Sequence, residues 1–120
     1  MPVILIVDDH SDIRRLLGLT LGREFEVIEA GNGLSALEAV RHHHPDVVLL
    51  DVMMPGEMSG LQVLDAIKAD PKTSDILVVM VTARGQVADG DDARRRGADA
   101  YFIKPFSPLQ VLDWVRSHLK

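Results

Sequence analysis

Two unbroken apolar runs each end on carboxylates: Val3 to Val7 leads into Asp8 and Asp9, and Val47 to Leu50 leads into Asp51. Branched aliphatic residues without polar alternation predict strands buried on both faces, as in a parallel sheet. Ile76 to Val81 is a third such run and delivers Thr82. Ala100 to Ile103 is a short last one, with Lys104 at its tip. Phe25 to Ala30 differs, because Glu24, Glu26 and Glu29 interleave with it; this is the pattern of an edge strand protected by charge.

Between these runs the apolar period becomes helical. Ile13, Leu16, Leu17, Thr20 and Leu21 mark a first helix, with Ser11 or Asp12 as its cap and Gly22 as the C′ residue. Leu34, Ala36, Leu37 and Val40 mark a second, opened by Asn32 and stopped at Pro45. A third enters through Gly60, buries Leu61, Leu64 and Ile67, and ends at Asp70 and Pro71. The fourth, roughly Val87 to Arg96, is poor in large apolar residues and contains Gly90, which predicts a weak hold on the core. Ser107, Pro108 and Gln110 predict a capping box with Pro at N1, ahead of a last helix buried through Val111, Leu112, Val115 and Leu119. Strands alternating with helices, five of each, specify a doubly wound parallel sheet, expected here as one α/β domain over residues 1–120.

Composition adds exclusions. A net charge of −5 disfavours nucleic acid as a partner, since duplex binding rests on phosphate neutralisation. No apolar run approaches the roughly 18 residues of a membrane span, and no leader pattern is present, so neither a membrane partner nor export is expected. With no cysteine, a disulfide framework and thiol chemistry are excluded, and a cytoplasmic location is expected. His42, His43 and His44 suggest metal at first sight. Consecutive helical residues point about 100° apart, so the three do not converge, whereas cations at a helix C-terminus suit its dipole.

In open α/β sheets, ligands bind outside the carboxyl ends of the strands. Asp51 alone reads more readily as a turn former at a strand end, but four strand tips carry polar groups: Asp8 with Asp9, Asp51, Thr82 and Lys104. Three carboxylates drawn together need a cation, and oxygen donors without histidine or cysteine select Mg²⁺. A carboxylate can accept a phosphoryl group as an acyl phosphate, and Mg²⁺ with an ammonium would stabilise the charge in transit.

V-D-D at 7–9, D-V-M-M-P at 51–55, V-T-A at 81–83 and Y-F-I-K-P-F at 101–106, in that order at strand ends, resemble the response-regulator receiver domain of two-component signalling, chemotaxis type. The resemblance spans the chain. It implies a flavodoxin-like sheet of order 2-1-3-4-5 with Asp51 as phosphoacceptor. Mg²⁺ would sit on Asp9, Asp51 and the Met53 backbone carbonyl, with Asp8 helping directly or through water. Thr82 would bond a phosphoryl oxygen, Lys104 would pair with the carboxylate or phosphoryl group, and Tyr101 would join the switch. Met53 and Arg84 would flank the path of the hydrolytic water. The peptide before Pro105 is often cis in this family. M-P-G-E-M-S-G carries one extra residue, and Ser59 stands where aspartate is common, departures that bear on loop shape.

The implied function is a switch that takes its phosphoryl group from a sensor histidine kinase or phosphotransfer protein. It would alter the face of the fourth helix, last strand and last helix, to be read by a downstream effector protein or by an output domain outside this sequence. Phosphorylation-dependent dimerisation stays open, and no enzymatic turnover is expected beyond self-catalysed phosphoryl uptake and loss. Two other readings compete. A haloacid-dehalogenase-type phosphatase wants a second Asp two residues after its nucleophile, and Met53 stands there. A docking module acting without phosphorylation would be favoured by loss of Asp51, Lys104 or the acidic pair, and all are present.

Overall fold

The computed structural model describes residues 1–54, 56–83 and 92–119. Strands β1 (Val3–Val7), β2 (Glu26–Ala30), β3 (Val47–Asp51), β4 (Leu77–Ala83) and β5 (Ala100–Lys104) form one parallel sheet in the order β2-β1-β3-β4-β5. The helices are α1 (Ser11–Leu21), α2 (Gly33–His43), α3 (Gly60–Ala69), α4, described as residues 92–95, and α5 (Pro108–His118). This is the doubly wound parallel sheet that the apolar runs predict, in the flavodoxin-like order that the family resemblance implies.

Why those runs do not alternate is visible in the packing, because each strand feeds two cores. Leu5, Val7, Val48, Leu50, Val78 and Met80 meet Ala36 and Val40 of α2 and Val63, Leu64 and Ile67 of α3. The intervening Ile4, Ile6, Val47, Leu49 and Val79 meet Leu17 and Leu21 of α1 and Val111, Leu112 and Val115 of α5. Full burial of one such side chain contributes about 1.5–3 kcal/mol. Central β3 is buried along its whole length, whereas Glu26 and Glu29 of the edge strand β2 stay exposed.

Several local expectations are corrected. His10, not Ser11 or Asp12, is the N-cap of α1, and it makes no side-chain cap. Asp8 reaches forward to accept the His10 backbone N–H at 2.8 Å, which sets the turn one residue earlier. Gly22 closes α1 as its C-cap in a right-handed conformation, φ −66° and ψ −10°, instead of as a left-handed C′ residue. Leu16, expected inward, is 49% exposed because Leu17 and Leu21 take the inward positions. With Ile13, Lys104, Pro105 and Phe106 it lines an apolar cleft of about 390 Å³. Leu34 is likewise exposed, while Val63, not expected in the core, is buried.

Reciprocal capping occurs at Ser59 and Gln62. At the predicted box only half is made: the Ser107 hydroxyl accepts from the Gln110 N–H at 3.4 Å. Asn32 caps α2 as expected by accepting from the Ser35 N–H. β4 runs beyond Val81 through Thr82 and Ala83. Most of the predicted fourth helix lies outside the described residues; in the part described, Ala93 is fully buried and Gly97, at φ +107°, follows. The Lys104–Pro105 peptide is cis. No helix among the described residues is long and apolar enough to cross a membrane.

Candidate functional site

The parallel register aligns the carboxyl ends of four strands. Val7 pairs with Leu50, Asp51 with Val81, and Ala83 with Lys104, so the residues following the β1 and β3 apolar runs emerge beside the end of β5. Asp8 and Asp51 are 3% and 4% exposed. Lys104 Nζ donates to Asp8 Oδ2 at 3.2 Å and to Asp51 Oδ2 at 3.3 Å, bridging carboxylates that belong to different strands. Asp51 Oδ1 accepts the Met53 N–H at 3.3 Å.

Chain reversal after β3 holds Asp51 from behind. The Val52 N–H donates to the Val81 carbonyl, and the Gly60 N–H donates to the Val52 carbonyl at 3.0 Å. A Cβ at Gly60 would meet the Asp51 carbonyl oxygen at 1.9 Å, so only glycine permits this return. Ser59, where the family pattern often has aspartate, caps α3 beside it; serine performs that task as well as aspartate does.

Burial pushes the Asp51 carboxyl above its ordinary range and the neighbouring Asp8 adds to this, against the pull of Lys104 and the Met53 N–H. Burial acts on Lys104 in the opposite sense, but Asp51 and Asp8 outweigh it and raise the ammonium's pKa, keeping it charged at neutral pH. Among the described residues, one cation therefore serves two buried carboxylates, and their balance is negative before Asp9 is counted.

Asp9, whose side chain is 25% exposed, turns Oδ1 into the cluster, where that atom is buried and makes no hydrogen bond among the described residues, although His10 Nδ1 lies 3.2 Å away. Leaving a buried acceptor unsatisfied costs about 1–3 kcal/mol. One ligand atom each from Asp8, Asp9, His10 and Asp51 lies within 4.8 Å of the others. An excess of negative charge and an unbonded oxygen at one point fit a metal ion, and this acidic cluster could hold one. His10 was not anticipated. Its only signal in the sequence was its place directly after the acidic pair at a strand tip. Among the described residues the His42, His43 and His44 triplet forms no such group: His44 Nε2 instead lies 3.0 Å from the Lys72 carbonyl oxygen and 3.5 Å from Asp75.

The remaining predicted residues stand around this cluster. The Met53 side chain is exposed. Thr82 is fully buried in β4, one residue past the register partner of Asp51. Alternation puts Thr82 on the sheet face of Val78 and Met80, the face on which Tyr101 packs. Tyr101 is partly buried, with the Arg94 guanidinium 4.3 Å from its ring centroid. Arg84 lies outside the described residues.

The sequence and the fold are similar to those of known proteins. The family model described as response regulator receiver domain matches residues 4–116. Transcriptional regulatory protein SrrA of Staphylococcus aureus is 42% identical over 118 residues, covering 98% of this chain and 47% of that protein. The chain thus spans about half the length of the curated relatives it matches. Among solved structures, the receiver domain of NtrX from Brucella abortus superposes with a TM-score of 0.86 at 35% identity, covering 96% of this chain and 95% of that one. A receiver domain protein from Clostridium thermocellum gives 0.89 at 27% identity, covering 98% and 93%. Strand order, the bridged strand-tip carboxylates and the family match over nearly the whole sequence lead to one assignment: the chain belongs to the response regulator receiver domain family.

Proposed function

We propose that this domain, taken as residues 1–120, is a phosphorylation-activated signalling switch in which Asp51 accepts the phosphoryl group. The observation that carries the reading is the bridge of Lys104 to both Asp8 and Asp51 beside the unbonded Asp9 oxygen. A carboxylate oxygen of Asp51 forms the new bond to phosphorus as the bond from phosphorus to the donor breaks, and the donor leaves with its electron pair. Lys104 holds Asp51 in the ionised form that can attack, then pairs with the added charge. Mg²⁺, when bound, neutralises phosphoryl oxygens. Asp9, Asp51 and the Met53 carbonyl would hold it, with Asp8 acting directly or through water. The domain supplies no other turnover.

Thr82 and Tyr101 form the switch, through a hydrogen bond from Thr82 to a phosphoryl oxygen. Because Thr82 is already buried, its response is a change of partner and position, not entry from solvent. The phosphodonor is a sensor histidine kinase or phosphotransfer protein, and the reader is an effector or an output domain. That SrrA, about twice as long, is a transcriptional regulatory protein supports the latter. A cytoplasmic location follows from such a donor, and phosphorylation-dependent dimerisation is one form the output can take.

Incubation with acetyl phosphate and Mg²⁺ should add one phosphoryl group, detected by intact mass. Asp51→Asn should abolish the addition. Equal labelling of that variant would overturn the assignment.

A further inference from the structure

We infer that His10 supplies a nitrogen ligand to the metal site, giving this receiver domain a preference for the borderline ion Co²⁺ over Mg²⁺ beyond what its carboxylates alone would confer. The inference rests on the metal-binding reading above and concerns one residue of this chain.

The imidazole is already in place. His10 Nδ1 hydrogen-bonds Asp8 Oδ1 at 3.1 Å and lies 3.2 Å from Asp9 Oδ1, and a ring nitrogen lies within 4.8 Å of an Asp51 carboxylate oxygen. A bound ion would take the place of the proton that the nitrogen carries in the bond to Asp8. Its backbone is held as well, since the His10 N–H donates to that same Asp8 oxygen at 2.8 Å. A further observation is the Asp9 Oδ1 atom beside the ring, buried and, among the described residues, without a hydrogen bond. An ion seated there would satisfy Asp9 and meet Nδ1 without any movement of the main chain. The His10 side chain is 64% exposed, so its outer nitrogen can remain hydrated while Nδ1 binds.

Ligand chemistry decides what such a set prefers. Carboxylate oxygens suit Mg²⁺, which binds imidazole poorly and retains its waters. Imidazole raises affinity along the first-row series, from Mn²⁺ through Co²⁺. Adding one nitrogen to a carboxylate cluster therefore widens the gap between Co²⁺ and Mg²⁺ instead of raising both together. His10 also lies on the solvent side of the acidic pair, where it meets an entering ion before Asp51, which is only 4% exposed, does.

The test uses the metals themselves on the unphosphorylated protein. Calorimetric titration should show His10→Ala losing about tenfold or more in Co²⁺ affinity, since even residues that only orient a metal ligand contribute on that scale. Mg²⁺ affinity should change much less. With Mn²⁺ bound, electron spin-echo spectroscopy should show modulation from a directly bound nitrogen in the wild type and none in His10→Ala. Equal loss for both ions, or unchanged nitrogen modulation, would overturn the inference. Tighter binding of both ions by the variant would show that His10 obstructs the carboxylates. In each of these outcomes, Mg²⁺ binding that depends on Asp9 leaves the broader metal reading standing. Failure of the wild type to bind any of the three ions would remove both.

Discussion

A Cβ atom on Gly60 would stand 1.9 Å from the carbonyl oxygen of Asp51, and 2.8 Å from its carbonyl carbon. The start of α3 is thus pressed against the backbone of the residue proposed to be the phosphoacceptor. Gly60→Ala must move one or the other, and we expect a loss of about 2 kcal/mol or more, together with weakened phosphorylation. Gly18, inside α1, is the contrast, because its added Cβ would only reach ordinary contact with Val27 at 4.0 Å. Gly18→Ala should stabilise by about 0.5–1 kcal/mol. Urea unfolding of the two variants checks both signs, and equal tolerance would show that the α3 entry yields easily.

Asp51 should make stability depend on pH in a defined sense. Its pKa is raised on folding, so the folded state holds this proton more tightly than the unfolded chain does. The associated stability is present at low pH and lost as pH rises through the folded value. Asp51→Asn should therefore be more stable than the wild type at neutral pH. The gain should vanish in acid, below the carboxyl's ordinary range. Urea midpoints at pH 7 and pH 3 measure it, and a variant less stable at neutral pH would mean that its bond to Lys104 outweighs burial.

A divalent ion should stabilise the fold by mass action, because the carboxylate cluster exists only in the folded chain. Millimolar Mg²⁺ should raise the melting temperature, by an amount corresponding to about 2.7 kcal/mol if the ion is at a hundred times its Kd. Asp9→Asn should blunt the response. A melting temperature indifferent to Mg²⁺ would count against the site.

The exposed Met53 side chain stands two residues beyond Asp51. A thioether accepts hydrogen bonds weakly and donates none, so it crowds an in-line water without orienting it. Slow self-dephosphorylation is expected, with Met53→Asn accelerating it several-fold. Decay of the purified acyl phosphate in Mg²⁺ decides this, and an unchanged or slower variant would place control of the water elsewhere.

Tyr101 cannot reorient without altering the contact of its ring with the Arg94 guanidinium. A cation over an aromatic ring at a partly exposed site is worth about 0.5–1 kcal/mol, small enough for a switch to break. Phosphorylation should therefore change amide exchange across α4, β5 and the start of α5, and Arg94→Ala should shift that region in the unphosphorylated protein. Changes confined to residues 46–59 would refute the coupling.

The apolar runs of β1, β3 and β4 carried the architecture because a strand buried on both faces admits no polar alternation, and Val47 to Leu50 could be little else. The position of Asp51 at the end of β3 was legible for the same reason. Helix orientation was less so: Leu16 and Val63 were misplaced because helical spacing gives a stripe without saying which edge of it a neighbouring helix covers. Capping was legible in part: Asn32 caps α2 as its position predicts, whereas the reciprocal box forms at Ser59 and not at Ser107. Ser107 and Ser59 both fit the pattern, but whether the glutamine side chain returns depends on loop geometry outside the helix. The site itself required the fold, since Asp8, Asp51 and Lys104 are far apart in the chain and only the parallel register brings one ammonium between two buried carboxylates. His10 belongs to that second category. Adjacency to an acidic pair is common in sequences, and what gives the imidazole its proposed part is the pairing of β1 with β3, which brings Asp51 to it, a tertiary fact with no separate mark in the chain.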